Sequence, residues 1–131
     1  MPYFVATKIL LAVNGDQHTA APRILLLGVA FKRDIADHRH SPAVKIMEIL
    51  RKKGAQVSYH DPYVPVLTVD GETLQSQPLN TQLLAEADCV VITTDHSALD
   101  YAWVTRYARR IFDTRNATAH VTEGRERILR L

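Results

Sequence analysis

The sequence predicts an α/β protein with a Rossmann-like, doubly wound parallel sheet, built as a single domain that follows an N-terminal helix. Two apolar runs, at 23–29 and 88–93, lack the polar alternation of strands that face water, which is typical of parallel strands covered on both faces. Helix patterns separate the strand patterns, and this alternation favours right-handed crossovers within one sheet. A length of 131 residues suits one domain with its own core.

The first predicted element is a helix over residues 1–15, with Pro2 in its first turn and Gly15 just past its end. Its apolar residues cover more than one side; they are Phe4, Val5, Ile9, Leu10, Leu11 and Val13. Such a helix needs packing partners on several sides, so we expect it to contact a surface outside this chain. Residues 16–22 are predicted to be a polar linker.

The domain is predicted to span residues 23–116 and to begin with a strand, a charged loop, a helix and a second strand. Ser41 predicts the cap of that helix and Pro42 its first residue. Gly54 predicts its end. An alternating pattern over 56–60 predicts the second strand.

A hairpin with a type I′ turn is predicted at Asp70-Gly71. The elements expected after it are a short helix capped by Asn80 or Thr81, a strand over 88–93, a helix over 100–110 and a strand over 111–113. Residues 117–131 are predicted to be a polar tail, mobile up to a last helical turn near Leu131.

Composition excludes several classes of function. A net charge of +2 is too small and too evenly spread to predict a nucleic-acid partner. No segment approaches the ~20 apolar residues of a membrane span, and the N-terminus lacks the pattern of a signal peptide. The single cysteine, Cys89, lies in an apolar strand pattern, which favours a buried side chain over a nucleophile. The lack of a disulfide framework agrees with a cytoplasmic protein.

Candidate ligand-binding residues, most of them polar, follow three of the predicted strands, at the edge where open α/β sheets bind ligands. These residues are Phe31, Lys32 and Arg39, then Asp95, His96 and Ser97, then Asp113 and Arg115. Because parallel strands bring their carboxyl ends to one edge, the three groups can form one pocket. The loop over 31–40 carries three basic and two acidic residues, a balance of +1, which suits a phosphorylated small molecule. Phe31 beside Lys32 adds a ring that can stack on a base.

These polar residues also have structural interpretations. Lys32 and Arg39 fit solvated loop charges. Arg115 fits a salt bridge with Asp113. The Asp95-His96 sequence fits either a structural pair that caps the next segment or a proton-transfer pair.

Three histidines, His38, His40 and His60, raise the possibility of a metal site, but no supporting cysteine or carboxylate cluster accompanies them. A dinucleotide fingerprint is incomplete, because only Gly28 stands in the first turn. The sequence also lacks a P-loop and a Gly-x-Ser-x-Gly elbow. We therefore expect no metal and no serine triad.

Four motifs resemble the C-terminal, UDP-binding domain of the UDP-glucose/GDP-mannose dehydrogenase family. In order, they are GVAFKRDIADHRHSP, KGAQVSYHDPYVP, EADCVVITTDHSALDY and IFDTRNAT. The resemblance runs from about Ile24 to Asn116, and its later motifs look closest to the branch that oxidises UDP-N-acetylhexosamines to uronic acids. Residues 1–5 also resemble the end of the family's central helical segment.

The resemblance implies a reaction and a division of roles. In the family, an N-terminal Rossmann domain binds NAD, a central helix mediates dimerisation, and a cysteine nucleophile carries the sugar C6 carbon through two oxidations. By resemblance, Phe31 and Lys32 hold the UDP-sugar, Arg115 lies on the substrate side, and Arg39 reaches toward NAD bound by the other domain. Cys89 matches no catalytic position. This chain is therefore expected to hold no catalytic residue and to be inactive without the missing NAD-binding domain.

Two positions depart from the family pattern D-D-x-R-E-S-P, since this chain has Ala36 and His40 there. We expect these changes to affect the cofactor contact of Arg39 more than the substrate contact. The leading interpretation is the UDP-sugar-binding part of an NAD-dependent 6-dehydrogenase of polysaccharide biosynthesis. The alternatives are a non-catalytic module that forms a homodimer through its N-terminal helix and a free-standing nucleotide sensor.

Overall fold

A computed structural model describes residues 2–14, 21–30, 34 and 41–130. In chain order the elements are α1 (Pro2–Asn14), β1 (Arg23–Leu27), α2 (Pro42–Lys52), β2 (Gln56–His60), β3 (Val66–Val69), β4 (Glu72–Gln75), α3 (Thr81–Glu86), β5 (Cys89–Ile92), α4 (Tyr101–Tyr107), β6 (Ile111–Asp113), a 3-10 helix (Arg125–Arg127) and β7 (Ile128–Arg130). This order confirms the predicted alternation of strands and helices. Within the described ranges, no helix has the length and apolar character to cross a bilayer.

Five parallel strands form the central sheet in the order β2-β1-β5-β6-β7. Strand β1 pairs with β2 on one side and with β5 on the other, so the winding reverses between β1 and β5. This confirms the predicted doubly wound parallel sheet. Ligands bind at such a switch point, outside the carboxyl ends of the strands.

Alternate residues of β1 build two separate cores. Ile24 and Leu26 pack with α1, α2 and the β3–β4 hairpin, whereas Leu25 and Leu27 pack with α3 and α4. All four are at most 1% exposed, as expected for a strand covered on both faces. Burial of each such side chain stabilises the fold by about 1.5–3 kcal/mol, so both cores hold the strand ends in place.

Helix boundaries follow the capping signals in the sequence. The hydroxyl of Ser41 accepts from the backbone N–H of Ala43 at 3.2 Å, and Pro42 begins α2. Asn80 caps α3 by accepting from the N–H of Leu83 at 2.8 Å. The predicted start of α2 is confirmed, and Asn80 rather than the next residue is the cap of α3.

The hairpin of β3 and β4 forms around the predicted turn. Asp70 and Gly71 have φ angles of 53° and 77°, the positive pair that a type I′ turn requires. Leu67 and Val69 are at most 3% exposed and pack in the same core as α2. The hairpin therefore helps α1 and α2 to cover the same face of the central sheet.

The segment 117–131 was predicted to be a mobile tail outside the domain, and this prediction is wrong for its described residues. Strand β7 pairs in parallel with β6 and becomes the edge of the sheet. Val121 is 4% exposed and packs in the α4 core. The guanidinium of Arg125 donates to the carbonyl oxygens of Thr118 and Val121 at 2.9 and 2.8 Å, so local polar contacts order the approach to β7.

Helix α1 buries one side and exposes another. Its buried residues, at most 5% exposed, are Val5, Ala6, Ile9 and Val13, and they pack against the α2 side of the sheet. On the outer side, Tyr3, Phe4 and Leu11 are 64%, 50% and 66% exposed. The predicted apolar character on more than one side is confirmed, and the described residues cover only one side. We call Tyr3, Phe4 and Leu11 the outer face of α1.

Candidate functional site

The carboxyl edge of the sheet gathers the residues that follow four strands. Strand pairing places Leu27 beside His60 and Ile92, and Ile92 beside Asp113. The residues that come next in the chain therefore share one edge of the sheet. This edge includes the switch between β1 and β5, where a doubly wound fold binds its ligand.

A cleft of about 140 Å³ opens at this edge between α1, α2 and the ends of β5 and β6. Its lining consists of Pro2, Val5, Pro42, Ala43, Ile46, Thr93, Thr114 and Arg115. Helix side chains supply most of the apolar wall, and Arg115, which is exposed, supplies a cation. An apolar wall with a few polar groups is typical of a pocket for an organic ligand.

Asp61 ties the end of β2 to the backbone that leaves β1. Its Oδ2 accepts from the N–H groups of Val29 and Ala30 at 2.7 and 3.2 Å. Its Oδ1 accepts from the N–H of Tyr63 at 2.8 Å. The residue is only 2% exposed, and these donors offset the cost of burying its carboxylate.

His96 is a further donor to Asp61. Its Nε2 lies 2.9 Å from Oδ2 of Asp61, while its Nδ1 accepts from the backbone N–H of Asp34 at 2.7 Å. Nδ1 is therefore the accepting nitrogen of the ring, and Nε2 is the nitrogen that faces the carboxylate of Asp61. The ring is fully buried, and Tyr63 packs against it edge-on, with 4.8 Å between centroids.

Asp34 binds the turn between β5 and α4. Its carboxylate accepts from both the backbone N–H and the hydroxyl of Ser97, each at 2.7 Å. Its φ of 61° is in the left-handed region, which aspartate tolerates better than most residues. Together with the bond to His96, three hydrogen bonds attach Asp34 to this turn.

Two threonines hold the backbone that leaves β1. The hydroxyl of Thr94 donates to the carbonyl of Ala30 at 2.6 Å, and that of Thr93 donates to the carbonyl of Gly28. Gly28 has a φ of +83°, and a Cβ built there would lie 2.5 Å from the carbonyl oxygen of Thr94. A glycine is therefore required for β1 to end so close to the residues after β5.

Asp113 shapes the loop that carries Arg115. Its Oδ1 accepts from the N–H groups of Arg115 and Ala117 at 3.0 and 3.2 Å, and its Oδ2 accepts from the N–H and hydroxyl of Thr118 at 2.9 and 2.6 Å. Burial alone would raise the pKa of this carboxyl, but the Thr118 hydroxyl and the backbone N–H groups outweigh burial and lower the pKa. The Arg115 backbone is thus fixed beside the cleft.

This lowered pKa predicts an acid-sensitive contribution of Asp113 to stability. The contribution is fully present above the ordinary aspartate pKa of about 4 and is lost as pH falls through the lower native-state value. In urea unfolding at a series of acidic pH values, Asp113→Asn should be less stable than the wild type near neutrality, and the difference should shrink toward low pH. A difference that stays constant with pH would contradict this assignment.

Cys89 is fully buried, and burial raises the pKa of its thiol to about 12, so the side chain carries no thiolate near neutrality. The predicted buried position of Cys89 is confirmed.

Within the described ranges, no three metal-binding side chains converge. His60 donates through Nδ1 to the carbonyl of Gln77 at 2.8 Å, whereas His38 and His40 lie outside the described residues.

Among the predicted ligand-binding residues, Arg115 is the one that the structure describes, and it lines the cleft. The other three, Phe31, Lys32 and Arg39, lie outside the described residues. The described residues on either side of that loop are Ala30 and Ser41. Ala30 is bound to Asp61 at the carboxyl edge, and Ser41 precedes two residues of the cleft wall.

The sequence prediction paired His96 with Asp95, but both ring nitrogens bind other residues, Asp61 and Asp34. No role is predicted for Asp61 from the sequence, although its carboxylate is the acceptor for His96 and for the backbone that leaves β1. The position of Asp61 is a signal that could have predicted this role. A carboxylate that directly follows β2 lies beside the end of β1 whenever those two strands are adjacent. The proton-transfer interpretation gains no support, since the His96 ring is fully buried.

The described residues do not fit a dinucleotide site. A dinucleotide fold needs an open, glycine-rich turn after its first strand. Here Gly28 packs against Thr94, and the next two N–H groups, of Val29 and Ala30, already donate to Asp61. The described turn therefore has no backbone donors left for a pyrophosphate.

Comparison with known sequences identifies the family. The model of the UDP-glucose/GDP-mannose dehydrogenase family, UDP binding domain, matches residues 25–120. A UDP-N-acetyl-D-mannosamine dehydrogenase of Pyrococcus horikoshii is 33% identical over 97 residues, which cover 73% of this chain and 21% of that protein. One from Methanococcus maripaludis strain C7 is 27% identical over 128 residues, which cover 92% of this chain and 28% of that protein.

Solved structures agree with this result. The UDP-D-ManNAc dehydrogenase of Pyrococcus horikoshii superposes with a TM-score of 0.71 at 27% identity, over 93% of this chain and 28% of that one. An NDP-N-acetyl-D-galactosaminuronic acid dehydrogenase from Methanosarcina mazei Go1 shares the fold, with a TM-score of 0.75 at 23% identity, over 99% of this chain and 28% of that one. The chain spans about a quarter of the length of these relatives. Both the sequence match and the shared fold show that the chain belongs to the UDP-glucose/GDP-mannose dehydrogenase family, through that family's UDP-binding domain.

Proposed function

We propose that this chain is the nucleotide-sugar-binding part of an NAD-dependent UDP-sugar 6-dehydrogenase, which oxidises the sugar C6 hydroxymethyl group to a carboxylate. Its task is positioning: contacts to the base and phosphates hold C6 against chemistry that another domain supplies. The family match over residues 25–120 supports this proposal. On this view the chain alone binds UDP-sugar weakly and turns over no NAD.

The cleft at the carboxyl edge is the observation that carries the proposal. Arg115 lines it from a loop that Asp113 fixes, and a guanidinium can meet a phosphate through two parallel hydrogen bonds. The apolar walls from α1 and α2 suit a base or ribose. We assign Phe31 to the base and Lys32 to a phosphate, because the chain enters their loop from Ala30 at this edge.

Calorimetry of the full chain with UDP-N-acetylglucosamine tests this assignment. We expect wild-type binding and a loss of affinity of about 10- to 100-fold in Lys32→Ala and in Arg115→Ala, since a charge-assisted hydrogen bond contributes about 1.5–3 kcal/mol. Each substitution removes a cation from the proposed phosphate site.

Two matched controls remove the same charge from the opposite end of the sheet. Lys53 is exposed just after α2, and Arg109 is an exposed residue that pairs with Asp88 at 3.5 Å. We expect Lys53→Ala and Arg109→Ala to bind like the wild type. No binding by the wild type would overturn the proposed function, whereas equal losses in the controls would reduce the two assigned contacts to a net-charge effect.

The finer assignments follow from the same proposal. NAD belongs to a separate domain of the complete enzyme, toward which Arg39 reaches from the loop after β1. A UDP-N-acetylhexosamine is the favoured substrate class, because the relatives above include enzymes named for UDP-N-acetyl-D-mannosamine. A buried thiol without a disulfide partner in the chain suits the cytoplasm.

The outer face of α1 favours a second role, in which two copies of the chain pair through this helix. Tyr3, Phe4 and Leu11 are each at least half exposed, and such a patch of large apolar side chains is typical of an interface. Light scattering should give a dimer for the wild type and a monomer for Phe4→Ser combined with Leu11→Ser. A wild-type monomer would exclude homodimerisation through α1 and leave the UDP proposal standing.

A further inference from the structure

A second pocket lies beside α4, away from the cleft at the carboxyl edge. Its volume is about 270 Å³, larger than that of the cleft, which is about 140 Å³. Its polar lining residues are Arg106, His120, Thr122, Glu123 and Arg127. We call this space the α4 pocket. Because α4 packs on the face of the sheet opposite to α1 and α2, the α4 pocket and the cleft are separate sites.

Hydrogen bonds fix both walls of the α4 pocket. On one side, Nη1 of Arg127 donates to the carbonyl oxygens of Arg106 and Ala108, both at 3.2 Å, so the last turn of α4 is bound to the start of β7. On the other side, Nη1 of Arg125 donates to the carbonyl oxygen of Val121 at 2.8 Å. Val121 is also buried in the α4 core. The backbone around the pocket is thus held in place before a ligand arrives.

Arg127 has a structural explanation, whereas Arg106 has none. The last carbonyl oxygens of a helix lack partners within the helix, and Arg127 satisfies two of them through Nη1 alone. Its Nε lies 3.9 Å from the carboxylate of Glu126, too far for a hydrogen bond, and its Nη2 reaches Gly124, where an added Cβ would lie 2.8 Å away. Arg106 is exposed, and among the described residues no acidic side chain pairs with it.

The mixture of polar groups selects a class of ligand. Two guanidinium groups, of Arg106 and Arg127, suit a carboxylate or a phosphate. Glu123 adds a negative charge to the same lining, which disfavours a phosphate dianion more than a carboxylate. Its oxygens accept from hydroxyl groups, and the side chains of His120 and Thr122 can donate and accept. The lining therefore matches a ligand with one carboxylate and several hydroxyl groups.

We propose that the α4 pocket binds a sugar acid, a uronate whose carboxylate pairs with Arg106 and whose hydroxyl groups bond to Glu123 and Thr122. The small side chain of Ala102, in the first turn of α4, leaves room for the sugar ring. Neither the site nor its chemistry depends on UDP. A uronate is also the kind of product that the proposed reaction makes, so only the identity of the natural ligand rests on the proposed function.

Titration of the ¹⁵N-labelled full chain with free glucuronate, followed through backbone amide shifts, tests the proposal. We expect saturable changes at Arg106, Thr122 and Glu123, and none at Thr114, which lines the cleft at the carboxyl edge. Glucose has a hydroxymethyl group in place of the carboxylate. It should bind at least about tenfold more weakly, the value of one charge-assisted hydrogen bond. Equal affinities for the two sugars, or changes that cluster at Thr114 instead, would overturn the proposal.

Two substitutions disable the α4 pocket by different means, each with a matched control at another exposed position. Arg106→Gln should weaken glucuronate binding at least about tenfold, whereas Arg109→Gln, just beyond α4, should bind like the wild type. Ala102→Leu fills the pocket without a change of charge and should abolish binding, whereas Ala85→Leu adds the same side chain to α3 and should have no effect. Urea unfolding verifies that all four variants fold. Wild-type affinity in Arg106→Gln or in Ala102→Leu would contradict the assigned site.

Two further ligands identify the class of anion and keep this test separate from that of UDP binding. Inorganic phosphate should bind at the α4 pocket more weakly than glucuronate, and tighter binding of phosphate would overturn the assignment to a sugar acid. UDP should leave the amides of Arg106 and Glu123 unchanged. If the chain binds glucuronate at the α4 pocket but binds no UDP, the proposed function fails while the inferred site stands.

Discussion

Gly28→Ala should lower the free energy of unfolding by about 2–5 kcal/mol. Two costs add at this position. A non-glycine residue in the left-handed region loses roughly 1–2 kcal/mol, and Gly28 has a φ of +83°. The new Cβ would also meet the carbonyl oxygen and Cβ of Thr94 at 2.5 and 2.6 Å, and relief of such overpacking costs about 1–3 kcal/mol. Urea unfolding measures the sum.

Gly54→Ala isolates the first of these costs. Gly54 has a similar φ of +93°, but nothing lies within 4 Å of a Cβ built there. We expect it to lose only about 1 kcal/mol, well below the loss for Gly28→Ala. Equal losses at the two sites would show that Thr94 does not restrict the end of β1.

Asp61→Ala should be the second severe change, with a loss of about 3–5 kcal/mol in unfolding free energy. Removal of the carboxylate leaves the N–H groups of Val29 and Ala30 and the Nε2–H of His96 without their acceptor. All three bonds are buried, and each buried donor that lacks a partner costs about 1–3 kcal/mol. The midpoint and slope of urea unfolding measure this loss.

Asp61→Asn keeps the size and one acceptor oxygen, so we expect a smaller loss than for Asp61→Ala. The same chemical change at the hairpin, Asp70→Asn, serves as a surface control, because asparagine suits the first position of a type I′ turn. It should alter stability by less than about 0.5 kcal/mol. If Asp61→Ala unfolded at the same urea concentration as the wild type, this would contradict the claim that the three buried hydrogen bonds to Asp61 stabilise the carboxyl edge.

Most helices and strands could be predicted because their signals are local. Ser41, Pro42 and Asn80 mark helix starts through contacts within two or three residues, and the turn at Asp70-Gly71 depends on its own φ angles. Apolar runs in the sequence predict the parallel strands β1 and β5, because both faces of these strands are covered. The order of such elements then constrained the topology to a doubly wound sheet.

Strand β7 could not be predicted in the same way. It is an edge strand of three residues, only partly buried, so its sequence lacks the apolar run that identified β1 and β5. Its formation depends on pairing with β6 and on the approach that Arg125 holds through two carbonyl oxygens. Neither of these contacts produces a local sequence pattern from which a strand could be predicted.

The network at the carboxyl edge was missed for a related reason. Asp34, Asp61 and His96 are far apart in the chain and meet only because β1 lies between β2 and β5. The sequence places Asp95 directly before His96, and residue spacing alone therefore favours Asp95 as the partner of the ring. Strand order, rather than residue spacing, decides which carboxylate reaches the ring. Arg115, by contrast, could be placed near the cleft because it follows β6 directly.

The most direct measurement of the central claim is a titration of the ¹⁵N-labelled full chain with UDP, followed through backbone amide shifts. The account predicts saturable changes clustered at the carboxyl edge, at Ala30, Asp34, Thr114 and Arg115, with Gly54 and Gly71 unchanged. A cluster of changes elsewhere on the molecule, or no change at any amide at millimolar UDP, would contradict the claim that this domain binds UDP at the switch between β1 and β5.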